Sequence, residues 1–441
     1  MTLGQRTGWG RSSRIETATF PIEMFSEKRS LSGMERGLAV GLGRSYGDSS
    51  LNSHGQSWSC SSRSEVFIDI ARQEAHCGSG VTVGELERAA SKVNLFPPVV
   101  PGTEYVTIGG AIASNVHGKS HHHYGAFGDH VTEILLLDSK GITHQISPQS
   151  NPDLFWATVG GMGLTGVILS AKMRLIPIEN EYFVVEERRV LSIDDLLSTL
   201  QRFDAKYIYT VAWIDLSGKF EGRGLVSGGR HATNSEIPTK KKAARSEFSK
   251  VRQVKVPDIF PSFTINRFTV RVFNELWFKK RLQMGILHYK QFLHPLDSIQ
   301  DWNRVYGRRG FLQYQVQIPF GKESFFKDIF ATMREINAAS FLGVVKQFGS
   351  SECSFLSFPS EGWTIAIDIP MSNSRLLPSL RKLDEILCEI GGKVYLSKDA
   401  RLALEHFEKM YPQVEEWKSI KMQIDPDNYW HSDQGKRLNL C

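Results

Sequence analysis

The chain has 441 residues, of which 41% are hydrophobic and 23% charged. That is ordinary for a globular protein and leaves room for two domains of roughly 100–200 residues each. A net charge of +6 is too modest and too dispersed to point to nucleic acid, and it suits an anionic ligand or an anionic membrane surface. Cys60, Cys77, Cys353, Cys388 and Cys441 are odd in number and form no CxxC, so neither a zinc site nor a disulfide framework is expected.

The N-terminal MTLGQRTGWGRSS carries no apolar core of signal-peptide type, and no run of about 18 apolar residues occurs. The expected location is cytoplasmic, with peripheral contact at the inner face of the cell membrane left open. The first landmark is the glycine cluster GLGRSYGD at Gly41–Asp48. EVFIDI (65–70) alternates like a half-buried strand, and Thr82 and Glu85 have capping-box spacing before an amphipathic helix. Pro97, Pro98 and Pro101 then force extended backbone into VVPGTEYVTIGGAIASNVHG (99–118). HVTEILLLDSKGITHQI predicts a hairpin turning at Ser139–Gly141. A third cluster, GGMGLTG (160–166), precedes the strand-like VILSAKMRLIPI.

Beyond residue 180, SIDDLLSTLQRF predicts a helix capped by Ser192. Residues 217–261 are polar, and Lys240–Lys242 with Arg245 and Lys250 read as a solvated loop, with anionic lipid headgroups as the alternative partner. GFLQYQVQIPF (310–320) and SFLSFPSEGWTIAIDIP (354–370) predict strands, and helices are expected over Leu377–Cys388 and Arg401–Met410. The last forty residues are expected to return to the first domain.

Gly161, Gly163 and Gly166 spell GxGxxG, but a dinucleotide fingerprint should open a helix. Here Lys172 to Leu175 alternate as a strand does, so a Rossmann unit is not expected. Instead each cluster offers backbone N–H groups to an anion. Gly41, Gly43, Gly47, Gly109 and Gly110 suit a pyrophosphate, with Arg44 and Ser45 as further donors. A single cluster is most simply a tight turn; three together argue for one large, flat, anionic ligand.

GLGRSYGDSS, PGTEYVTIGGAIASNVHGKSHH, LFWATVGGMGLTGVI and GGKVYLSKDAR with DPDNYWHSDQGKRL resemble, in order, the vanillyl-alcohol-oxidase superfamily of FAD-linked oxidases. Within it the resemblance is to the branch that oxidises polyprenylphosphoryl ribose, and it is weakest across 217–300. It implies an α+β, two-domain PCMH-type FAD-binding fold: an FAD domain over 1–180, an antiparallel-sheet substrate domain over 181–392, and a segment over 393–441 that returns to the FAD domain. FAD is expected to be non-covalent, because Asp48 stands where several branches carry a flavin-linking histidine.

By the same resemblance the flavin diphosphate lies against Ala39, Gly41, Gly43, Arg44, Ser45, Tyr46, Gly47, Asp48 and Ser49, and against Gly102, Thr107, Ile108, Gly109 and Gly110. The ring lies against Ser114, Asn115, Val116 and His117, with Ile168 and Tyr395 completing its pocket. Lys398 and His117 are the catalytic candidates, with a surface ion pair to Asp399 and a structural ring as their alternatives. Tyr46, Lys119, Gln313, Gln315, Lys346 and Lys398 are the substrate candidates. Gln313 and Gln315, two apart on a strand, share a face. Consecutive His121–His123 seldom converge on one ion, so surface or pocket-rim roles are expected and no metal.

The implied reaction oxidises the 2-hydroxyl of a polyprenylphosphoryl-β-D-ribose to a ketone. An NAD(P)H-dependent short-chain reductase would complete epimerisation to the arabinose donor for cell-envelope glycans. Actinobacterial members carry a cysteine in the strand where this chain has Ala366. The rivals are a soluble sugar or aldonolactone oxidase using oxygen, and a non-catalytic flavin-binding subunit.

Overall fold

The computed structural model describes residues 2–25, 36–217, 222–237, 254–258, 261, 264–338, 340–350, 354–371 and 374–441. Two sheets build the first part of the chain. One is four-stranded, in the order Thr2–Thr7, Arg14–Pro21, Gly55–Ser59, Arg36–Val40. The other is five-stranded and antiparallel, in the order Val66–Asp69, Glu74–Gly78, Val167–Arg174, Val131–Leu137, Thr143–Ile146.

Between the second and third of these strands by sequence lies the helix Val83–Ser91. Its capping box is present: Thr82 Oγ1 accepts from the Glu85 N–H at 3.2 Å, and the Glu85 carboxylate accepts from the Thr82 N–H at 2.8 Å. Leu86 and Ala90 of this helix join Phe96, Ile108, Ile134 and Phe155 in one core.

An eight-stranded antiparallel sheet dominates the rest. Its order is Met284–His288, Tyr182–Val190, Gly224–His231, Tyr209–Ile214, Gly343–Phe348, Gly362–Pro370, Phe311–Ile318, Lys393–Val394. Period-two alternation divides its faces. Leu312, Tyr314, Val316, Val345, Ile365, Ile367 and Ile369 are buried in a core with the helices Ile193–Asp204, Phe325–Glu335 and Leu376–Glu389. Gln313, Gln315, Val344, Lys346, Thr364 and Ala366 are left on the other face, in register across the three central strands.

After Lys393–Val394 the chain goes back to the first sheet. Gly37 forms a parallel bridge with Trp430, the Trp58 indole donates to the Tyr429 hydroxyl at 3.0 Å, and the Ser53 hydroxyl donates to Asp433 at 2.6 Å. Among the described residues no helix is long and apolar enough to cross a membrane.

Several elements differ from expectation. Only Gly362–Pro370 of 354–370 is a strand. Phe355–Phe358 instead runs as a loop, whose Phe358 stacks on Tyr395 at 4.6 Å. The helix expected over Arg401–Met410 starts at Leu404, because the Asp399 carboxylate accepts from the Arg401 and Leu402 N–H groups at 2.9 and 2.8 Å and holds them in a turn. The extended stretch 99–118 contains a short helix, Ile108–Ala113, capped by Thr107. The Lys240–Lys242, Arg245 and Lys250 run and Cys353 lie outside the described residues.

Candidate active site

A cavity of about 610 Å³ lies where the glycine clusters meet the polar face of the eight-stranded sheet. That size is within the usual range of small-molecule and cofactor sites. One wall is made by Ala39, Gly41, Gly43, Arg44, Ser45, Tyr46 and Ser49, with Gly102, Thr107, Gly109 and Gly110. Ser114, Val116, His117, Ile168 and Tyr395 continue it, and Gln313, Gln315, Lys346 and Lys398 close the far end.

The Gly43–Ser45 backbone N–H groups have no protein acceptor among the described residues, which is the signature of an anion cradle. Gly43 adopts φ +65°, a conformation that favours glycine there. Gly109 and Gly110, in contrast, sit in the first turn of the helix Ile108–Ala113, with the Gly110 N–H held by Thr107 Oγ1 at 3.3 Å.

The loop carrying Lys398 is fixed from both sides. The Tyr46 N–H donates to the Ser397 carbonyl at 2.9 Å, and the Tyr395 hydroxyl donates to the Ser114 carbonyl at 2.9 Å. Lys398 Nζ lies 3.6 Å from the centroid of the Tyr46 ring. Its side chain is half-buried and lines the cavity. Burial, with Lys346 adding and Asp368 opposing, lowers its pKa to about 7. Burial likewise lowers Lys346 to about 8, and raises the Asp368 carboxyl, which accepts from Gln313 at 2.6 Å, to about 7. The far end of the cavity is thus sparing with positive charge and able to exchange protons near neutrality.

His117 is stacked among Phe348, Phe358 and Tyr395, with ring centroids 4.8, 5.6 and 5.1 Å away. The Gln315 amide donates to its Nε2 at 2.9 Å. Burial, reinforced by Lys346, holds its pKa well below the usual imidazole range, so the ring stays neutral.

Five expected site residues lie outside the cavity wall. Gly47 packs on the Asp399 backbone: a Cβ on it would fall 1.8 Å from the Asp399 carbonyl oxygen. Asp48 is paired through both carboxylate oxygens with Arg437 at 2.9 and 3.0 Å. Ile108 is buried in the core. Asn115 accepts from the Gly128 N–H and donates to Ser357, so its amide fixes a corner. Lys119 turns its ammonium to the Phe292 carbonyl and ring, away from the cavity. Burial followed by Lys346 lowers its pKa to about 7.

None of the histidine run lines the cavity, and only His123 is exposed at the surface. His121 is buried against Phe348 at 4.3 Å, His122 bonds the Tyr207 carbonyl at 3.0 Å, and His123 packs on Tyr124. Sequence reasoning missed Trp9, Ser79, Met162, Val344, Thr364 and Trp302 in the cavity wall. For Val344 and Thr364 a signal existed, since strand periodicity puts them on the face that carries Lys346 and Ala366.

The FAD binding domain family matches residues 36–147, which contain the cradle and the Ser114–His117 segment. Over its full length the chain is 37% identical, across 452 residues, to decaprenylphosphoryl-beta-D-ribose oxidase of Mycolicibacterium smegmatis, covering 98% of that protein. The chain belongs to this family of FAD-linked oxidases. It is also 30% identical over 372 residues to an uncharacterized protein of Streptomyces coelicolor, which it covers completely. Identity to the D-lactate dehydrogenase of Archaeoglobus fulgidus is 32% over 161 residues, 35% of this chain and 36% of that one.

The protein is therefore an FAD-dependent oxidoreductase with an α+β fold. The cradle fits the family's cofactor: open N–H groups at Gly43–Ser45 suit a diphosphate, and the flat apolar walls of Val116, Ile168 and Tyr395 suit a ring. The GxGxxG of Gly161–Gly166 leads into the strand Val167–Arg174, so it opens no helix, although Gly163 reaches the cavity.

Proposed function

We propose that the protein oxidises the 2-hydroxyl of a polyprenylphosphoryl-β-D-ribose to the 2-keto sugar, with non-covalent FAD held by the residues of the cradle. The observation that carries this reading is the polar sheet face of Gln313, Gln315, Thr364 and Lys346, which meets Lys398 in the same cavity as the cradle. The hydroxyls of a pentose need several converging donors and acceptors, and an apolar wall offers none.

Bound FAD supplies the hydride acceptor. Gln313 and Gln315 hold the sugar by its hydroxyls. Lys398 Nζ, near neutrality in its proton affinity, accepts the proton of the reacting hydroxyl. Neutral His117, anchored by Gln315, shapes the ring side of the pocket and excludes water there. A keto sugar made this way is handed to an NAD(P)H-dependent short-chain reductase, which completes epimerisation. The same reading assigns 1–180 and 393–441 to FAD, 181–392 to substrate, and a cytoplasmic site of action at the membrane's inner face.

Asp48 is engaged by Arg437 and carries no flavin link, so acid precipitation should release all FAD to the supernatant; flavin in the pellet contradicts this. Peroxide release with free sugars, compared with lipid-linked ribose, separates the reading from that of a soluble sugar oxidase.

A further inference from the structure

The helix Arg267–Lys279 is capped by Asn266, whose side chain accepts from the Phe268 and Thr269 N–H groups. It buries only Val270 and Asn274 against the protein. Asn274 is tied down there, donating to Asp215 at 2.7 Å. The opposite side carries Phe268, Val272 and Leu276 at a spacing of four, which stacks them on one face. They are 76%, 44% and 67% exposed, which is unusual for three large apolar side chains on one stripe. Phe273 and Trp277 stack beside them at 5.9 Å and are themselves 43% and 40% exposed.

The stretch 267–281 holds five basic residues against one acidic residue, Glu275. Glu275 is paired with Arg223 and Lys279 at 2.8 Å each, while Arg267, Arg271 and Arg281 are exposed. An apolar face bordered by cations is the pattern of a helix that lies in the interface of an anionic bilayer.

Ring contacts join this face to the cavity. Phe273 meets Phe341 at 5.7 Å, Phe341 stacks on Tyr306 at 5.5 Å, Tyr306 on Phe311 at 4.2 Å, and Phe311 meets Tyr46 at 5.5 Å. Tyr46 is the residue beneath Lys398. On the chain, the cavity-lining Lys255 lies only twelve residues before the helix begins.

We infer that the helix Arg267–Lys279 docks the protein on an anionic lipid surface, its Phe268–Val272–Leu276 stripe entering the headgroup region. A prenyl chain leaving the cavity past Phe341 then stays in the bilayer while its sugar is oxidised. The inference rests on the lipid-linked substrate proposed above and names the surface that presents it.

The test uses FAD-loaded full-length protein and vesicles of phosphatidylglycerol or of phosphatidylcholine alone. Sedimentation should bring down the wild type with phosphatidylglycerol, and the double variant Phe268→Asp/Leu276→Asp should partition at least tenfold less. Neither side chain is buried, and flavin bleaching by a short-chain, water-soluble prenylphosphoryl ribose should be unchanged in the variant, which shows that it is folded. Oxidation of a long-chain substrate held in the vesicles should fall in parallel with partition.

Equal sedimentation of both proteins overturns the inference. So does a wild type that stays in solution, or a stripe whose substitution only converts a dimer to a monomer by light scattering. Bleaching by the soluble substrate without vesicle binding sinks the docking helix and leaves the proposed reaction standing. Vesicle binding without bleaching by any lipid-linked ribose sinks the reaction instead.

Discussion

The proposed chemistry rests on one side chain, Lys398. Burial lowers its pKa to about 7, against about 10.5 when solvated. Between these values the unfolded chain binds more protons than the folded one, so stability of the FAD-free protein rises with pH across that window. Lys398→Met should therefore raise the melting temperature of the FAD-free protein at pH 6, with the gain shrinking by pH 9. A gain that grows with pH would contradict the direction of the shift. In the holoenzyme, Lys398→Ala should slow flavin reduction by about 10²-fold or more while FAD stays bound, as read by stopped-flow absorbance.

The family resemblance marked Lys398, Gln313 and Gln315 as site candidates, strand periodicity put the two glutamines on one face, and all three line the cavity. It misjudged Lys119 and Asp48, whose charges are taken up by the Phe292 carbonyl and by Arg437. Those partners are 173 and 389 positions away, and no local pattern announces such pairs.

At the scale of elements, the two most exposed dependencies are a cap and an ion network. Thr82→Ala removes the acceptor for the Glu85 N–H and half of the reciprocal box, at a cost of about 1 kcal/mol in a denaturant titration. An unchanged midpoint would show that the helix Val83–Ser91 is held by packing alone. Arg437 is the larger element-scale contact. It spans Asp48 of the first glycine loop and Asp399 of the Lys398 loop, at 2.9 and 2.8 Å. Burial opposes ionisation of Asp399, yet Arg437 and Arg401 outweigh it and hold its pKa low.

Arg437→Met takes the shared guanidinium from half-buried Asp48 and buried Asp399, and Asp399 keeps only the Arg401 and Leu402 N–H groups and the Arg401 charge, so unfolding free energy should fall by about 1.5–3 kcal/mol. FAD affinity should fall with it, measured by flavin fluorescence, because the cradle and the lysine loop lose their common tie. Caps and hairpins of this kind were legible, since Thr82, Ser192 and the Ser139–Gly141 turn act within a few residues. The segment Phe355–Phe358 was not: its apolar spacing mimics a strand, while Phe358 actually stacks on Tyr395, 37 positions on.

For the whole molecule, the two sheets of the first part of the chain and the eight-stranded sheet share one cavity. The first part of the chain offers the Gly43–Ser45 N–H groups, which have no protein acceptor among the described residues, and the eight-stranded sheet offers a polar face in register. The α+β class was legible through the family resemblance that four separated sequence blocks carry. Side-chain convergence across 352 positions, from Tyr46 to Lys398, becomes visible only once the chain is folded.

The substrate is the central claim, and anaerobic mixing with a polyprenylphosphoryl ribose tests it most directly. Bleaching of the bound flavin, with keto sugar formed in equal amount and both events slowed by about 10²-fold or more in Lys398→Ala, is the expected result. A flavin that keeps its colour with every lipid-linked pentose, yet bleaches with a free sugar, contradicts the account.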